Sequence, residues 1–171
     1  MVTFSEQARL AAPFTSDLER LSSSLSGLRA EQGTALWDSL LFTIDYFHGT
    51  RGQRALLVIS DGEDRRSRAT VEEVIRFAQY TSVTIYTIGL EAAMGRGRSG
   101  LRQLAEQTGG RSYLPRSGAR LTEIFAEIES DLRSRYLLAY QSVSASREFR
   151  EIEVSVEGTA LDVQTSRGYF P

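Results

Sequence analysis

Apolar residues recur along this chain with two different periods, and the change comes near Arg133. Before it, short continuous apolar runs alternate with stripes spaced three or four residues apart. The run "ALLVIS" at 55–60 and the run "VTIYTIG" at 83–89 read as strands buried on both faces. Between them, Thr70 and Glu73 form a capping box, and Val71, Val74, Ile75 and Ala78 make the inward face of a helix. Two further helices precede the first run. One spans 17–29, opened by Ser16 with Glu19 three residues on, and carries Leu18, Leu21, Leu25 and Leu28 on one face. The other is opened by Gly33 and Thr34, has its stripe at Trp37, Leu40, Leu41, Ile44 and Phe47, and is closed by Gly49 and Gly52. The chain starts with a short strand through Val2 and Phe4, a turn at 5–7 and a second strand.

Past 89, the pattern predicts a glycine-rich surface loop, a helix over 101–107 stopped by Gly109 and Gly110, and a short strand at 111–113. A helix over 121–132 follows, with Leu121, Ile124, Phe125, Ile128 and Leu132 directed at the core. Strand, helix, strand, helix is the signature of a parallel sheet covered on both faces. After Arg133 the alternation in twos through "RYLLAYQ", "REIEVSVE" and "ALDVQTS" predicts antiparallel strands, with a tight turn at Gly158 and Thr159 and a loop over 142–146. The expected architecture is therefore α/β: a doubly wound, mostly parallel sheet from Val2 to Tyr113, flanked by helices, with an antiparallel extension. One domain over 1–171 is expected, 1–132 forming the α/β core and 133–171 the extension; no repeat, linker or low-complexity tract divides it.

Composition narrows the function. A chain of 171 residues with 41% hydrophobic content can build one sizeable core. A net charge of −2 with interspersed signs gives no electrostatic footprint for nucleic acid or a membrane surface. Without cysteine there are no disulfides, thiolate metal sites or cysteine nucleophiles, and without lysine there is no P-loop lysine and no Schiff base. No apolar run reaches the ~18 residues of a membrane span, and the N-terminus lacks the charged and apolar regions of a signal peptide.

The chemistry gathers at "SDGEDRR". In open α/β sheets, ligand sites form where loops leave the carboxyl ends of strands, and Asp61 stands there. A carboxylate in that place suits a hard divalent cation, and the hydroxyl of Thr34 is a second oxygen donor for the same cluster or a plain helix N-cap. Glu63 and Asp64 read as solvated loop charges. Arg65, Arg66, Arg68, Arg96 and Arg98 are expected on the same rim, solvated or facing an acidic partner. "GRGRSG" matches the dinucleotide pattern, but Leu90 to Met94 separate it from the strand and the ribose-binding carboxylate is missing, so it reads as loop. His48 is the only histidine and Ser60 has no base nearby in sequence, which argues against an enzyme.

Taken together, "VTFSEQARLAAPFTSDLERL", "GTALWDSL", "ALLVISDGED", "VTIYTIGL", "LAEQTGGRSYLP", "EIESDLRSRYLLAYQ" and "SRGYF" resemble the von Willebrand factor type A domain, in particular its bacterial VWFA-related subfamily. The resemblance implies a non-enzymatic interaction or adhesion module with a metal-ion-dependent adhesion site, where Mg²⁺ or Mn²⁺ accepts a carboxylate from a protein partner. It maps the family's threonine onto Thr34 and its strand-end aspartate onto Asp61. The family's first strand, its D-x-S-x-S triplet and its first helix have no counterpart in these residues. Metal binding is accordingly expected to be weak or absent, self-association through unpaired sheet edges is expected, and a metal-free scaffold or truncated fragment is the alternative reading.

Overall fold

Strand β3 (Arg54–Ser60) lies parallel to β4 (Val83–Gly89) over seven residue pairs, from Arg54 opposite Val83 to Ser60 opposite Gly89. β5 (Ser112–Tyr113) continues the sheet beyond β4, pairing Ser112 with Thr87 and Tyr113 with Ile88. The computed structural model describes residues 1–28, 33–90, 95–136, 138, 140–141, 146, 148–158 and 163–170, without the side chains of 95 and 96. The other helices are α1 (Leu18–Ser26), α2 (Leu36–Asp45), α3 (Val71–Tyr80), α4 (Gly95–Thr108) and α5 (Leu121–Arg133).

Side chains on a strand alternate between faces, and here both faces are covered. Val58, Val83 and Ile85 point to one side, where Leu36, Leu40 and Ile44 of α2, Val74, Ile75 and Ala78 of α3, and Leu101 and Leu104 of α4 pack on them. Tyr86 and Ile88 point to the other, against Ile124 and Ile128 of α5. That double cover is why β4 reads as a continuous apolar run, with only Thr84 less than fully buried. Thr87, fully buried, donates to Leu101 O and shares a hydrogen bond with Ser112 Oγ, so its hydroxyl is satisfied.

Several expectations are corrected. β1 (Val2–Phe4) and β2 (Ala8–Leu10) form their own antiparallel hairpin and are not joined to β3, so the parallel sheet has three strands rather than running from Val2. The hairpin is instead tied to the loop before α2, where Ala35 N–H donates to Ser5 O at 2.7 Å. The cap of α1 is Asp17, whose carboxylate accepts from Arg20 N–H, one residue later than the Ser16 box. The predicted stripe on α1 is present as spacing, yet no residue of that helix is buried, and Leu18 is 77% and Leu25 56% exposed. Phe125 is 45% exposed, because α5 meets the sheet along the line of Ile124 and Ile128 and Phe125 stands one step off it.

The sequence "GRGRSG" is helical, forming the first turns of α4. Its glycines serve close packing. A Cβ on Gly97 would meet Gly62 C at 2.8 Å and Asp61 O at 2.9 Å, and one on Gly100 would meet the Trp37 ring at 3.0 Å. Among the described residues beyond α5, the antiparallel extension consists of β6 (Arg150–Glu151) paired with β7 (Gly168–Tyr169). Described residues of "RYLLAYQ" form no strand, those of 152–156 and 163–166 none either, and Thr159 with 160–162 and 142–145 lie outside the described residues. Arg135 anchors the segment after α5 to the sheet, donating to Thr84 Oγ1 at 2.7 Å and to Tyr86 OH at 2.8 Å.

Candidate functional site at the carboxyl end of β3

β3 stops at a tight turn built by its own side chains. Ser60 Oγ accepts from Gly62 N–H and Asp61 Oδ1 accepts from Glu63 N–H, both at 3.0 Å. Gly62 adopts a left-handed φ of 74°, which a side chain disfavours. It also lies against the start of α4, where a Cβ would meet Gly97 C at 2.6 Å.

The loop that follows is clamped to the start of α2. Asp64 Oδ1 accepts from Ser67 N–H at 3.1 Å, closing one turn. The Asp38 carboxylate accepts from Arg68 N–H and from Ala69 N–H, the latter at 2.9 Å, while Asp38 N–H donates to Ser67 Oγ at 3.0 Å. Arg65 N–H and Arg66 N–H both donate to Thr34 O, at 3.0 and 3.1 Å. These bonds bring Thr34 and the Asp61 loop to one rim, although 27 positions separate them in sequence. Asp38 was not singled out from the sequence; a carboxylate in the first turn of a helix reads locally as helix-dipole complementarity, and its partners lie 30 residues away or more.

Thr34 is not the cap of α2. Ala35 holds that position and makes no side-chain capping bond. The Thr34 hydroxyl and Asp61 Oδ2 have no hydrogen-bond partner among the described residues, and Asp61 pairs there with no cation. Around them, Arg65 pairs with Glu63 at 2.6 Å and Arg66 with Glu6 of the β1–β2 turn at 3.4 Å. All four of these side chains are well exposed, so the pairs are weak and leave the guanidinium groups accessible. Arg68 and Arg98 are exposed as well.

Hydroxyl and carboxylate oxygens are the donors that hard divalent cations such as Mg²⁺ or Mn²⁺ accept. The fit is right in kind and short in number: among the described residues no three of His, Cys, Asp or Glu gather in one place. Ser60 Oγ is 5% exposed at the residue level and engaged in its turn, and His48 lies past the far end of α2, about 15 Å along the helix from Thr34. Among the described residues, no histidine stands beside Ser60 at this rim.

Known proteins share the fold that carries this rim. BatB from Bacteroides thetaiotaomicron, a conserved hypothetical protein of solved structure, superposes with a TM-score of 0.64 at 18% identity, over 79% of this chain and 78% of that one. An aerotolerance-related membrane protein from Bacteroides fragilis gives 0.61 at 17% identity over the same shares. At such identities the likeness is one of fold. No curated protein sequence matches. Residues 1–127 match the family description of the von Willebrand factor type A domain, and with most of the chain so matched, the chain belongs to that family.

Proposed function

We propose that the chain is a non-enzymatic protein-interaction module whose rim, at the carboxyl end of β3, receives an acidic side chain of a protein partner. Domains of this family are in general protein-interaction modules. The observation that carries the reading is the pair of oxygens without hydrogen bonds among the described residues, Thr34 Oγ1 and Asp61 Oδ2, on a rim edged by exposed arginines. Thr34 and Asp61 would hold a Mg²⁺ or Mn²⁺ ion, and the ion when bound would supply positive charge for the partner's carboxylate. Two protein oxygens leave most of about six coordination positions to water, so binding is weak. The arginines favour the same acidic partner by charge.

Calorimetric titration with Mg²⁺ and Mn²⁺ tests the metal component. Millimolar or weaker affinity is expected, abolished in Asp61→Ala and reduced in Thr34→Ala with unchanged melting. Equal affinity of the parent chain and Asp61→Ala refutes the assignment of the ion to this rim. If neither binds metal, the metal-free scaffold becomes the better reading.

A further inference from the structure

The segment after α5 meets β7 through two phenols. Tyr140 OH donates to Tyr169 OH at 2.7 Å, and the two ring centres stand 6.0 Å apart with their planes at 85°. Two phenols set end to end through their oxygens would hold their ring centres farther apart than this. The rings are therefore folded toward each other about the contact, and the ortho carbons, next to the carbons that bear oxygen, flank it. The chain has seven tyrosines, and among the described residues no other two tyrosine rings meet.

Each partner is placed by its surroundings. Tyr169 lies opposite Arg150 across the β6–β7 pair, and the guanidinium donates to Tyr169 OH at 3.4 Å from a position 5.9 Å from the ring centre. Tyr140 is 65% exposed, so a dissolved oxidant reaches it and its ring can turn on its partner. The link they make by hydrogen bond alone is weak, because water competes for both hydroxyls. β6 and β7 pair over only two positions, which is short for a hairpin to stand by itself. With no cysteine in the chain, a disulfide cannot tie this region down.

We propose that Tyr140 and Tyr169 form an oxidative modification site, at which hydrogen peroxide acting through a haem peroxidase joins the two rings ortho to ortho as an intramolecular dityrosine. Each phenol gives up one electron and its hydroxyl proton. The two tyrosyl radicals then form one carbon–carbon bond, and the hydrogens on the coupled carbons move to the phenol oxygens, restoring both rings. The protein loses two hydrogen atoms in total, and one peroxide takes them up as two waters. The bond closes a loop across 29 positions that contains β6, and staples the segment after α5 to β7. This site is separate from the Thr34 and Asp61 rim and needs no metal in the chain.

The test treats the full chain, dilute enough to keep molecules apart, with peroxidase and limiting hydrogen peroxide. Dityrosine fluorescence should appear in the monomer, with a loss of two hydrogen atoms in intact mass and a tryptic cross-link between the peptides that carry Tyr140 and Tyr169. Tyr140→Phe and Tyr169→Phe should each reduce the monomer's dityrosine at least about tenfold, and unfolding in urea before oxidation should do the same. The cross-linked monomer should melt about 5 to 10 °C higher, because the loop is closed in the unfolded chain as well. No dityrosine in the monomer, cross-links between molecules only, equal yield from either phenylalanine variant or from the unfolded chain, or an unchanged melting temperature of the cross-linked monomer would overturn the proposal.

Discussion

Helix α5 offers a sharp test of the packing, because adjacent residues on it are assigned opposite environments. Ile124 is 2% and Ile128 6% exposed against Tyr86 and Ile88, while Phe125 is 45% exposed. Ile124→Ala removes three buried carbons, which at about 0.8 kcal/mol each costs about 2.4 kcal/mol in transfer. The cavity left between a helix and a rigid sheet adds to that, so a total of about 3 to 4 kcal/mol is expected. Phe125→Ala removes more atoms, but nearly half of the surface is already in water and solvent fills the space. Alanine also forms helix better than phenylalanine by about 0.5 kcal/mol. A loss of about 1 kcal/mol or less follows. Urea unfolding of the two variants at neutral pH measures both. A larger loss for Phe125→Ala than for Ile124→Ala would refute the placement of α5 on the sheet.

Gly110 is buried, and a Cβ there would meet Ile85 O as well as Ile85 C at 2.7 Å; backbone of the central strand cannot yield, so Gly110→Ala should cost about 3 kcal/mol in the same unfolding assay. Arg135→Met should cost about 2 kcal/mol by leaving the Tyr86 hydroxyl, on a residue only 1% exposed, without its partner; Tyr86→Phe in the same background should lose less than the two single changes together. Burial first, and then the charges of Glu127 and Asp131, push the Tyr113 phenol from 10.0 up to about 12. The unfolded chain then ionises before the folded one, so this contribution to stability is complete below pH 10 and is lost as pH rises toward 12. Denaturant midpoints measured across that window should fall less steeply in Tyr113→Phe.

Where a structural signal is local, reading the chain alone suffices. The Thr70 and Glu73 capping box is present with both bonds made, and the strand expected at 83–89 has those bounds, because caps and continuous apolar runs act over a few residues. That both faces of the sheet are covered follows in the same way from the continuous apolar runs of β3 and β4. Asp61 was legible as the carboxylate at the end of an apolar strand, since a parallel sheet presents its strand ends to loops. Periodicity also located the α1 stripe, but it cannot say whether anything stands opposite. Leu25 is 56% exposed and lines a cavity of about 610 Å³ beside β3. The glycines of "GRGRSG" looked like a loop because their propensity opposes a helix; they stand in the first turns of α4, where Gly97 and Gly62 approach closer than any side chain permits, a contact across 35 positions. The clamp of Asp38 on Arg68 and Ala69, the choice of Ile124 over Phe125, and the separation of β1 from β3 are likewise decided in three dimensions. Each depends on which distant surface is available, and that is set by the packing of whole elements rather than by the residues nearby in sequence.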